Sequence, residues 1–275
     1  MAKILRLNAA LMKARGCGFS EMDAALSANM YNCRRNSVTV IAAALDNYVS
    51  KTLEKVWKAL SFLNDYTDGG FFKLRQIADT AYHKKASYYK IINGQKIETG
   101  WMSQITGIVA DKPNKIRGDR TDLLIYEEGG SWPNSTKAFI QGDALTGIQG
   151  SRFGLKIIGG TGGDSGPALE GLRDIYYNPT EYDVLPFRHC FTPTGEEIIS
   201  SFFIPASRYV NTPECMDNRG YTDEELGKEF YNKERDKKAK TPKNLITYTS
   251  EYCFNAEEAF ALEGENKFNK VLIAE

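Results

Sequence analysis

Two adjacent carboxylates at the end of an apolar run are the most informative feature of this sequence. The run reads Asp122-Leu-Leu-Ile-Tyr126, and Glu127 and Glu128 follow it directly. Such a run predicts a buried strand, which would put both acids where the strand leaves the core. One acid there can hold magnesium through its water shell while the next orients an attacking water. The alternative is a core strand that simply reaches solvent at a charged residue.

A glycine-containing segment further upstream is a candidate phosphate site. It reads Lys13-Ala-Arg15-Gly16-Cys17-Gly18-Phe19-Ser20, and a helix-like stretch from Glu21 to Met30 follows it. Glycines let backbone N–H groups turn toward a phosphate, and the N-terminus of the next helix adds its positive end. We therefore predict that the backbone from Arg15 to Phe19 cradles the phosphates and that the Ser20 hydroxyl ligates magnesium.

The lysine of this segment is displaced from its usual place in a P-loop. That place is immediately before the Ser or Thr, and Phe19 occupies it here. Lys13 opens the segment, and its flexible stem can reach the β- and γ-phosphates from there, with Arg15 as a second candidate. The alternative is an ordinary glycine turn with Ser20 as a helix cap.

A third segment has the character of a strand that runs into a glycine-rich turn. It extends from Gly154 to Asp164 and places Thr161, a candidate sensor of the γ-phosphate, at the end of its apolar part. Read alone, it favours an ordinary strand-to-helix turn. The three segments nevertheless follow the order expected of one parallel sheet, whose ligands gather at the carboxyl ends of the strands.

The chain resembles the ATPase domain of the large terminase subunit, the DNA-packaging motor of tailed phages. Such terminases place the P-loop lysine at the front of the motif, as Lys13 is placed here, and end the acidic strand in the manner of Glu127-Glu128. The turn Gly160-Thr161-Gly162-Gly163 matches their coupling motif. The segment from Glu251 to Phe260 resembles the one that closes their ATPase region, with Cys253 in place of a proline. The resemblance covers Lys13 to Phe260.

The resemblance implies an ATPase whose hydrolysis of ATP drives double-stranded DNA into a viral procapsid. Lys13 would neutralise the β- and γ-phosphates, Glu127 would hold the hydration shell of Mg²⁺, and Glu128 would orient the attacking water. Thr161 would report the phosphate state, and Arg117 matches a position where terminases carry an arginine that reaches a neighbouring subunit's nucleotide. Arg117 can equally pair with a nearby acid.

The same resemblance implies partners and a location. The expected partners are double-stranded DNA, a portal protein, a small terminase subunit and further copies of the chain in a homo-oligomeric ring. The expected location is the host cytoplasm, with no membrane contact. The basic run from Lys228 to Lys243 is a candidate DNA contact, although such runs are commonly the solvated face and basic end of a helix.

Two absences qualify the resemblance. Only twelve residues precede Lys13, where a terminase would carry an adenine-recognition segment, so the chain is interpreted as truncated or divergent at its start. The nuclease domain of such terminases is likewise expected to be missing after Phe260. We therefore predict an ATPase core over residues 1–210 and a C-terminal extension over 211–275 that leads toward an absent nuclease domain.

Composition indicates a soluble protein of one main domain. The 275 residues are 42% hydrophobic and 25% charged with a formal net charge of zero, which argues against a globally basic nucleic-acid coat. No apolar stretch is long enough to span a bilayer. The five cysteines lack metal-ligand spacing, and their odd number suits a reducing cytosol.

Hydrophobic periodicity predicts alternating strands and helices. The expected elements are a strand over Ser37–Ala44, a helix over Asn47–Asn64, the strand at Asp122, a helix over Ser135–Leu145, the strand at Leu155, a helix over Ser165–Tyr176, short strands over Ile198–Ile204 and a charged helix from Asp223. Between Lys85 and Val109 the pattern changes to short strand-like runs around Asn93-Gly94, a hairpin signal. We predict an α/β P-loop NTPase fold of the additional-strand, RecA-like type. It has a mainly parallel central sheet, helices on both faces and a β-hairpin insertion.

Two other functions fit these residues. One is another additional-strand P-loop motor, such as a helicase, which would use the same loop and acids. The other is a non-catalytic terminase-like remnant that binds nucleotide poorly, an interpretation favoured by Phe19 and by the missing adenine segment. Lys13, Ser20, Glu127 and Glu128 are all present together, which argues against a remnant.

Overall fold

Short apolar strands that are buried on both faces form the centre of the molecule. The computed structural model describes residues 2–110, 112, 120–146, 153–162, 167–210 and 212–261. Within them the central strands are almost wholly buried, as parallel strands covered by helices on both sides must be. Their bounds are β1 (Ala9–Lys13), β2 (Val38–Ala43), β6 (Leu123–Tyr126) and β7 (Leu155–Gly160).

The strand order is that of an additional-strand P-loop fold. The described residues form an eight-stranded sheet in the order β10-β1-β7-β6-β2-β5-β4-β3, where β10 is Phe202–Ile204, β5 is Gln95–Val109, β4 is His83–Ile92 and β3 is Ala78–Asp79. Strand β7 is inserted between β1, which precedes the glycine-containing loop, and β6, which the two acids follow. All pairings from β10 to β5 are parallel. The predicted fold class is confirmed.

The predicted hairpin insertion is also present. Strands β4 and β5 pair antiparallel and are joined at Asn93 and Gly94, which both adopt positive φ as a tight two-residue hairpin turn requires. From Gln104 onward β5 also pairs in parallel with β2, while Gln104 to Thr106 still pair with β4 on the other side. The hairpin therefore grows out of the edge of the parallel sheet.

Helices cover both faces of the sheet because neighbouring strand residues point to opposite sides. One face carries Leu11, Ile41 and Ile125 in a hydrophobic cluster with the helices α2 (Phe19–Cys33) and α3 (Asp46–Asp65). The other face carries the next residues along the same strands, and they pack on α4 (Ser135–Gln141) and α6 (Pro167–Tyr177). This alternation confirms the prediction of helices on both faces.

The helix expected over Ser135–Leu145 is in fact two short helices. Helix α4 ends at Gln141 and α5 (Asp143–Thr146) begins after Gly142. The Tyr126 hydroxyl donates to the carbonyl of Ala138 and lies so close to Gly142 that a side chain there would overlap it. The chain turns at this contact, which explains why a single continuous helix was the wrong prediction.

Most of the remaining elements follow α6 in the sequence. They are a small antiparallel pair, β8 (Phe187–His189) with β9 (Ile198–Ser200), and three helices, α7 (Glu224–Lys238), α8 (Pro242–Glu251) and α9 (Ala256–Ala259). A short helix, α1 (Ala2–Leu5), precedes β1. Asp223 caps α7 by accepting from two backbone N–H groups of its first turn. Cys253, Ala256 and Phe260 are buried in the same hydrophobic cluster as β1 residues. None of the helices in the described ranges is both long and apolar enough to cross a membrane.

Candidate active site

The carboxyl ends of β1, β6 and β7 open onto one cavity of about 360 Å³. The cavity contains most of the residues that sequence patterns selected. These are Lys13, Arg15, Gly16, Cys17, Gly18, Phe19, Ser20, Glu128 and Thr161. Tyr48, Lys55, Gly130, Ser131, Gly162 and Glu251 complete the lining. Three segments that lie far apart in the sequence therefore meet where ligands of parallel sheets bind.

The loop between β1 and α2 has the geometry of a phosphate-binding turn. Gly16 and Gly18 adopt φ of +83° and +77°, and no atom lies within 4 Å of the position that a Cβ would take at either residue. A phosphate can therefore approach the backbone closely at the N-terminus of α2. Gly18 is the N-cap of that helix, and Ser20 lies inside its first turn, so the alternative of Ser20 as the helix cap is wrong.

The structure explains why a phenylalanine occupies the usual lysine position. Phe19 is 4% exposed, and its ring packs so closely on Gly159 of β7 that any side chain at Gly159 would overlap it. Lys13 ends β1, and its Nζ lies 5.6 Å from the centroid of the Phe19 ring. Position 19 therefore contributes to the core, and the lysine reaches the cavity from the strand beside it. Cys17 lies within the loop and is buried. Burial raises the pKa of its thiol, although the nearby charge of Lys13 acts to lower it.

Glu128 is the point where the three segments meet. It adopts a left-handed backbone conformation (φ 47°, ψ 61°) directly after β6, which turns its side chain into the cavity. The Lys13 Nζ lies 3.3 Å from Glu128 Oε1. The backbone N–H and the hydroxyl of Thr161 both donate to Glu128 Oε2, at 3.3 and 3.2 Å. The Glu128 side chain is 22% exposed, so it is held in place but open to solvent.

Glu127 has the opposite character. It is 1% exposed, and the Thr52 hydroxyl donates to its Oε1 at 2.8 Å. Ser20 Oγ lies 3.4 Å from Oε2, and the Trp132 indole N–H donates to the Glu127 backbone carbonyl at 3.0 Å. Burial raises the pKa of this carboxyl, with a further contribution from the charge of Glu128. The two acids thus differ as their predicted roles require, with one fixed in the wall and one facing the cavity.

The donor set around Ser20 fits magnesium. Hydroxyl and carboxylate oxygens are the ligands that Mg²⁺ prefers, and it usually keeps several waters alongside one or two protein ligands and substrate phosphates. Ser20 and Glu127 supply such a pair. Among the described residues there is no cluster of three or more His, Cys, Asp or Glu side chains that could hold a metal alone, so nucleotide oxygens and waters would complete the shell.

Asp23 is a site residue that sequence reasoning missed. It lies one turn after Ser20 on α2 and is fully buried, and no N–H or hydroxyl group in the described part of the chain donates to its carboxylate oxygens, which lie beside the carboxyl of Glu127. Burial raises its pKa well above the ordinary value, and the charge of Glu127 adds to the rise. The three-residue spacing from Ser20 is the sequence pattern that places it on the same helix face.

One face of α3 was missed as well. Tyr48, Thr52 and Lys55 follow the helical spacing i, i+4, i+7, and Tyr48 and Lys55 line the cavity while Thr52 holds Glu127. Lys55 Nζ lies 3.0 Å from the carboxylate of Glu21. Sequence reasoning used only the apolar stripe of this helix, which packs on the sheet.

The C-terminal segment reaches the cavity too. The Arg15 side chain forms an ion pair with Glu251, and the Arg15 N–H donates to the Glu251 carbonyl at 2.8 Å. Gly162 packs directly on the carbonyls of Ser250 and Ala259, where a side chain would not fit. Binding of phosphate by Arg15 stays a prediction, and Arg117 lies outside the described residues.

The sheet order and the position of the cavity define the additional-strand, RecA-like class of nucleotide-binding folds. Two similar solved structures are the ATPase domain of the large terminase of Thermus phage P74-26 and a point mutant of it. The mutant has a TM-score of 0.57 at 14% identity and the other form 0.55 at 13%. Each match covers 91% of this chain and 88% of the other. The chain therefore shares the fold of that domain. No protein-family model and no curated protein sequence matches it.

Proposed function

We propose that this chain is a terminase-type ATPase that hydrolyses ATP with magnesium. The observation that supports this most is the convergence of Lys13 and Thr161 on the Glu128 carboxylate beside a phosphate-binding loop. A lysine, a carboxylate and a polar sensor from three different strands are the groups that phosphoryl transfer to water needs. The shared fold with a terminase ATPase domain supports the same conclusion.

In this proposal the bound nucleotide takes over the lysine. Lys13 exchanges the Glu128 oxygen for phosphate oxygens, and the freed Glu128 orients a water toward the γ-phosphorus and accepts its proton. The water oxygen bonds to phosphorus as the bond to the β–γ bridging oxygen breaks. Bound magnesium, held by Ser20 and through water by Glu127, would neutralise the phosphate charge. Thr161 senses the state of Glu128, because Glu128 accepts either from the attacking water or from Thr161.

We also propose that hydrolysis is coupled to movement of double-stranded DNA into a procapsid, with a portal protein, a small terminase subunit and a ring of further copies as partners. A contact path supports coupling. Gly162 touches the α8–α9 segment, and in that segment Glu258 forms an ion pair with Arg235 of α7 at 2.8 Å. The proposed division into a core over 1–210 and an extension over 211–275 places this path at their boundary.

Magnesium-dependent ATP hydrolysis by the unmodified chain tests the proposal, with Lys13→Ala as the variant. Lys58→Ala is the matched control, because Lys58 is exposed on α3 and does not line the cavity. Lys13→Ala should lower both nucleotide affinity and turnover, the latter by about 100-fold or more, while Lys58→Ala behaves as the unmodified chain. Equal turnover in Lys13→Ala would contradict the assignment. Stimulation by portal-bearing procapsids beyond that by DNA alone would separate a packaging motor from a helicase.

A further inference from the structure

A second cavity lies at the amino ends of the parallel strands, whereas the candidate active site lies at their carboxyl ends. Its volume is about 340 Å³. Arg35 precedes the start of β2, and Trp101 precedes Gln104, where β5 begins its parallel pairing with β2. The six residues of β2 separate the amino and carboxyl ends of the strand by about 20 Å. The main residues that line the second cavity are Arg35, Phe72, Lys73, Tyr88, Thr99 and Trp101.

Two cations in this cavity lack a carboxylate partner among the described residues. Arg35 donates to the carbonyl of Gly100 at 3.1 Å, and Lys73 donates to the carbonyl of Phe71 at 3.3 Å. The nearby Lys84 and Lys85 are different, since each forms an ion pair with an acid. Arg35 and Lys73 therefore leave N–H donors available to an anion.

Aromatic rings form the other walls. Phe72 is 54% exposed, and Lys73 Nζ lies 5.1 Å from the centroid of the Trp101 ring. The indole N–H of Trp101 is buried and has no hydrogen-bond partner within the described ranges. The indole N–H groups of the other two tryptophans, Trp57 and Trp132, donate to backbone carbonyls. Trp101 alone among the three lacks an acceptor.

A narrow pocket of about 10 Å³ adjoins the cavity and shares Phe72 and Lys73 with it. It is lined by Tyr31, Asn32 and Arg75, and the amide nitrogen of Asn32, a residue that is 5% exposed, has no hydrogen-bond partner in the described residues. The pocket has room for about one water. A buried polar group without a partner therefore lies beneath the loop that carries Phe72 and Lys73, as one also does in the cavity itself.

We propose that this second cavity binds a nucleotide unit, with the base against Trp101 and Phe72 and the phosphate on Arg35 and Lys73. A base offers a flat face for the rings and an acceptor for the free indole N–H, and its phosphate offers the charge that the two cations lack. Such a unit belongs either to a free mononucleotide or to a DNA strand.

The hairpin favours the strand as the source. Tyr88 lines the cavity, and Lys90 lies two residues further along β4 and therefore on the same face of the hairpin, with its Nζ 5.6 Å from the Tyr88 ring centroid. A further cation therefore continues from the cavity along this face, where the next phosphate of a strand can lie. Binding here requires neither magnesium nor hydrolysis at Glu128.

Anisotropy of a short labelled oligodeoxynucleotide without magnesium, together with quenching of tryptophan emission, tests the proposal on the full chain. The test variants are Trp101→Phe, which keeps a ring but removes the N–H, and the double change Arg35→Gln with Lys73→Gln. The matched control is Lys58→Gln with Arg219→Gln, which removes two exposed cations away from the cavity. The double variant should bind about tenfold more weakly and show a salt dependence lower by about two phosphate contacts.

The outcomes separate the two sources and the two proposals. Tight oligonucleotide binding with weak competition by deoxyadenosine monophosphate identifies a strand site, and equal affinity for both identifies a mononucleotide site. No binding, or binding unchanged in the double variant and in Trp101→Phe, would overturn the proposal. If Trp101→Phe unfolds, the double variant decides, since it changes side chains at the surface. Glu128→Gln should bind the oligonucleotide normally, so loss of ATPase activity and loss of this site are distinguishable.

Discussion

Lys13 and Glu128 form an ion pair of 3.3 Å although 115 positions separate them in the sequence. The pair crosses from the end of β1 to the end of β6, over the strand β7 that lies between them. Both side chains are shielded, at 7% and 22% exposure. The cation that should bind phosphate and the acid that should orient water therefore hold each other. Nucleotide binding would have to part them, which makes this pair the natural link between binding and chemistry.

Thr161→Val should slow hydrolysis without weakening nucleotide binding. The valine removes the hydroxyl that donates to Glu128 but keeps the backbone N–H that also donates. Because one of two donors remains, we expect turnover to fall by about tenfold. Steady-state hydrolysis and equilibrium nucleotide binding measure the two effects. Thr194→Val, at an exposed position between β8 and β9, is the control. A loss of binding equal to the loss of turnover would contradict a sensing role.

Ser20→Ala should raise the magnesium concentration that supports half-maximal hydrolysis. The hydroxyl lies 3.4 Å from Glu127 Oε2 and is the proposed direct ligand, so its loss removes one oxygen from the shell. We expect a rise of about tenfold or more, with Ser20→Thr close to the unmodified chain because the hydroxyl is retained. Magnesium titration of both variants provides the measurement. An identical magnesium requirement in Ser20→Ala would contradict the proposed ligand.

Asp23→Asn should stabilise the fold and flatten its dependence on pH. The carboxyl is fully buried and its pKa is raised by burial and by Glu127. In the unfolded chain it ionises near 3.8, so the folded state holds the proton longer and stability is lost as pH rises above that value. An uncharged amide removes this loss, and we expect a gain of about 1–2 kcal/mol at neutral pH.

Urea unfolding in buffer well below pH 3.8 and in neutral buffer would measure this effect. The gain should shrink in acid, where the aspartate of the unmodified chain is protonated in both states. Asp236→Asn, on the exposed side of α7 near its C-terminus, is the control and should change little. Destabilisation by Asp23→Asn at neutral pH would show that the buried charge has a partner.

The strand-end residues of the site were predictable from the sequence. Lys13, Glu127, Glu128 and Thr161 each follow an apolar run, and parallel strands necessarily bring such positions to one edge of the sheet. Hydrophobic periodicity predicted the sheet and the helices on both faces, and Asn93-Gly94 predicted the hairpin. Local patterns suffice for these features because they depend on burial and turn chemistry within one segment.

The supporting residues were not predictable in this way. Thr52 contacts Glu127 only because α3 packs at one particular rotation and height on the sheet, and its apolar stripe drew attention to the other face. Glu251 meets Arg15 through the path of the C-terminal segment. Asp23 stands out only when its burial without a partner is known. Contacts of this kind depend on tertiary packing, and periodicity within one element does not encode them.

The most direct test of the proposed role of Glu128 in ATP hydrolysis is a comparison of nucleotide binding and hydrolysis in Glu128→Gln, with magnesium present. Glutamine keeps the shape of the side chain and its ability to accept from Thr161, but it cannot take a proton from water. We predict that ATP binding is retained, or tightened because Lys13 is no longer paired with a charge, while turnover falls by at least about 100-fold. Turnover in Glu128→Gln equal to that of the unmodified chain would show that Glu128 does not activate the water.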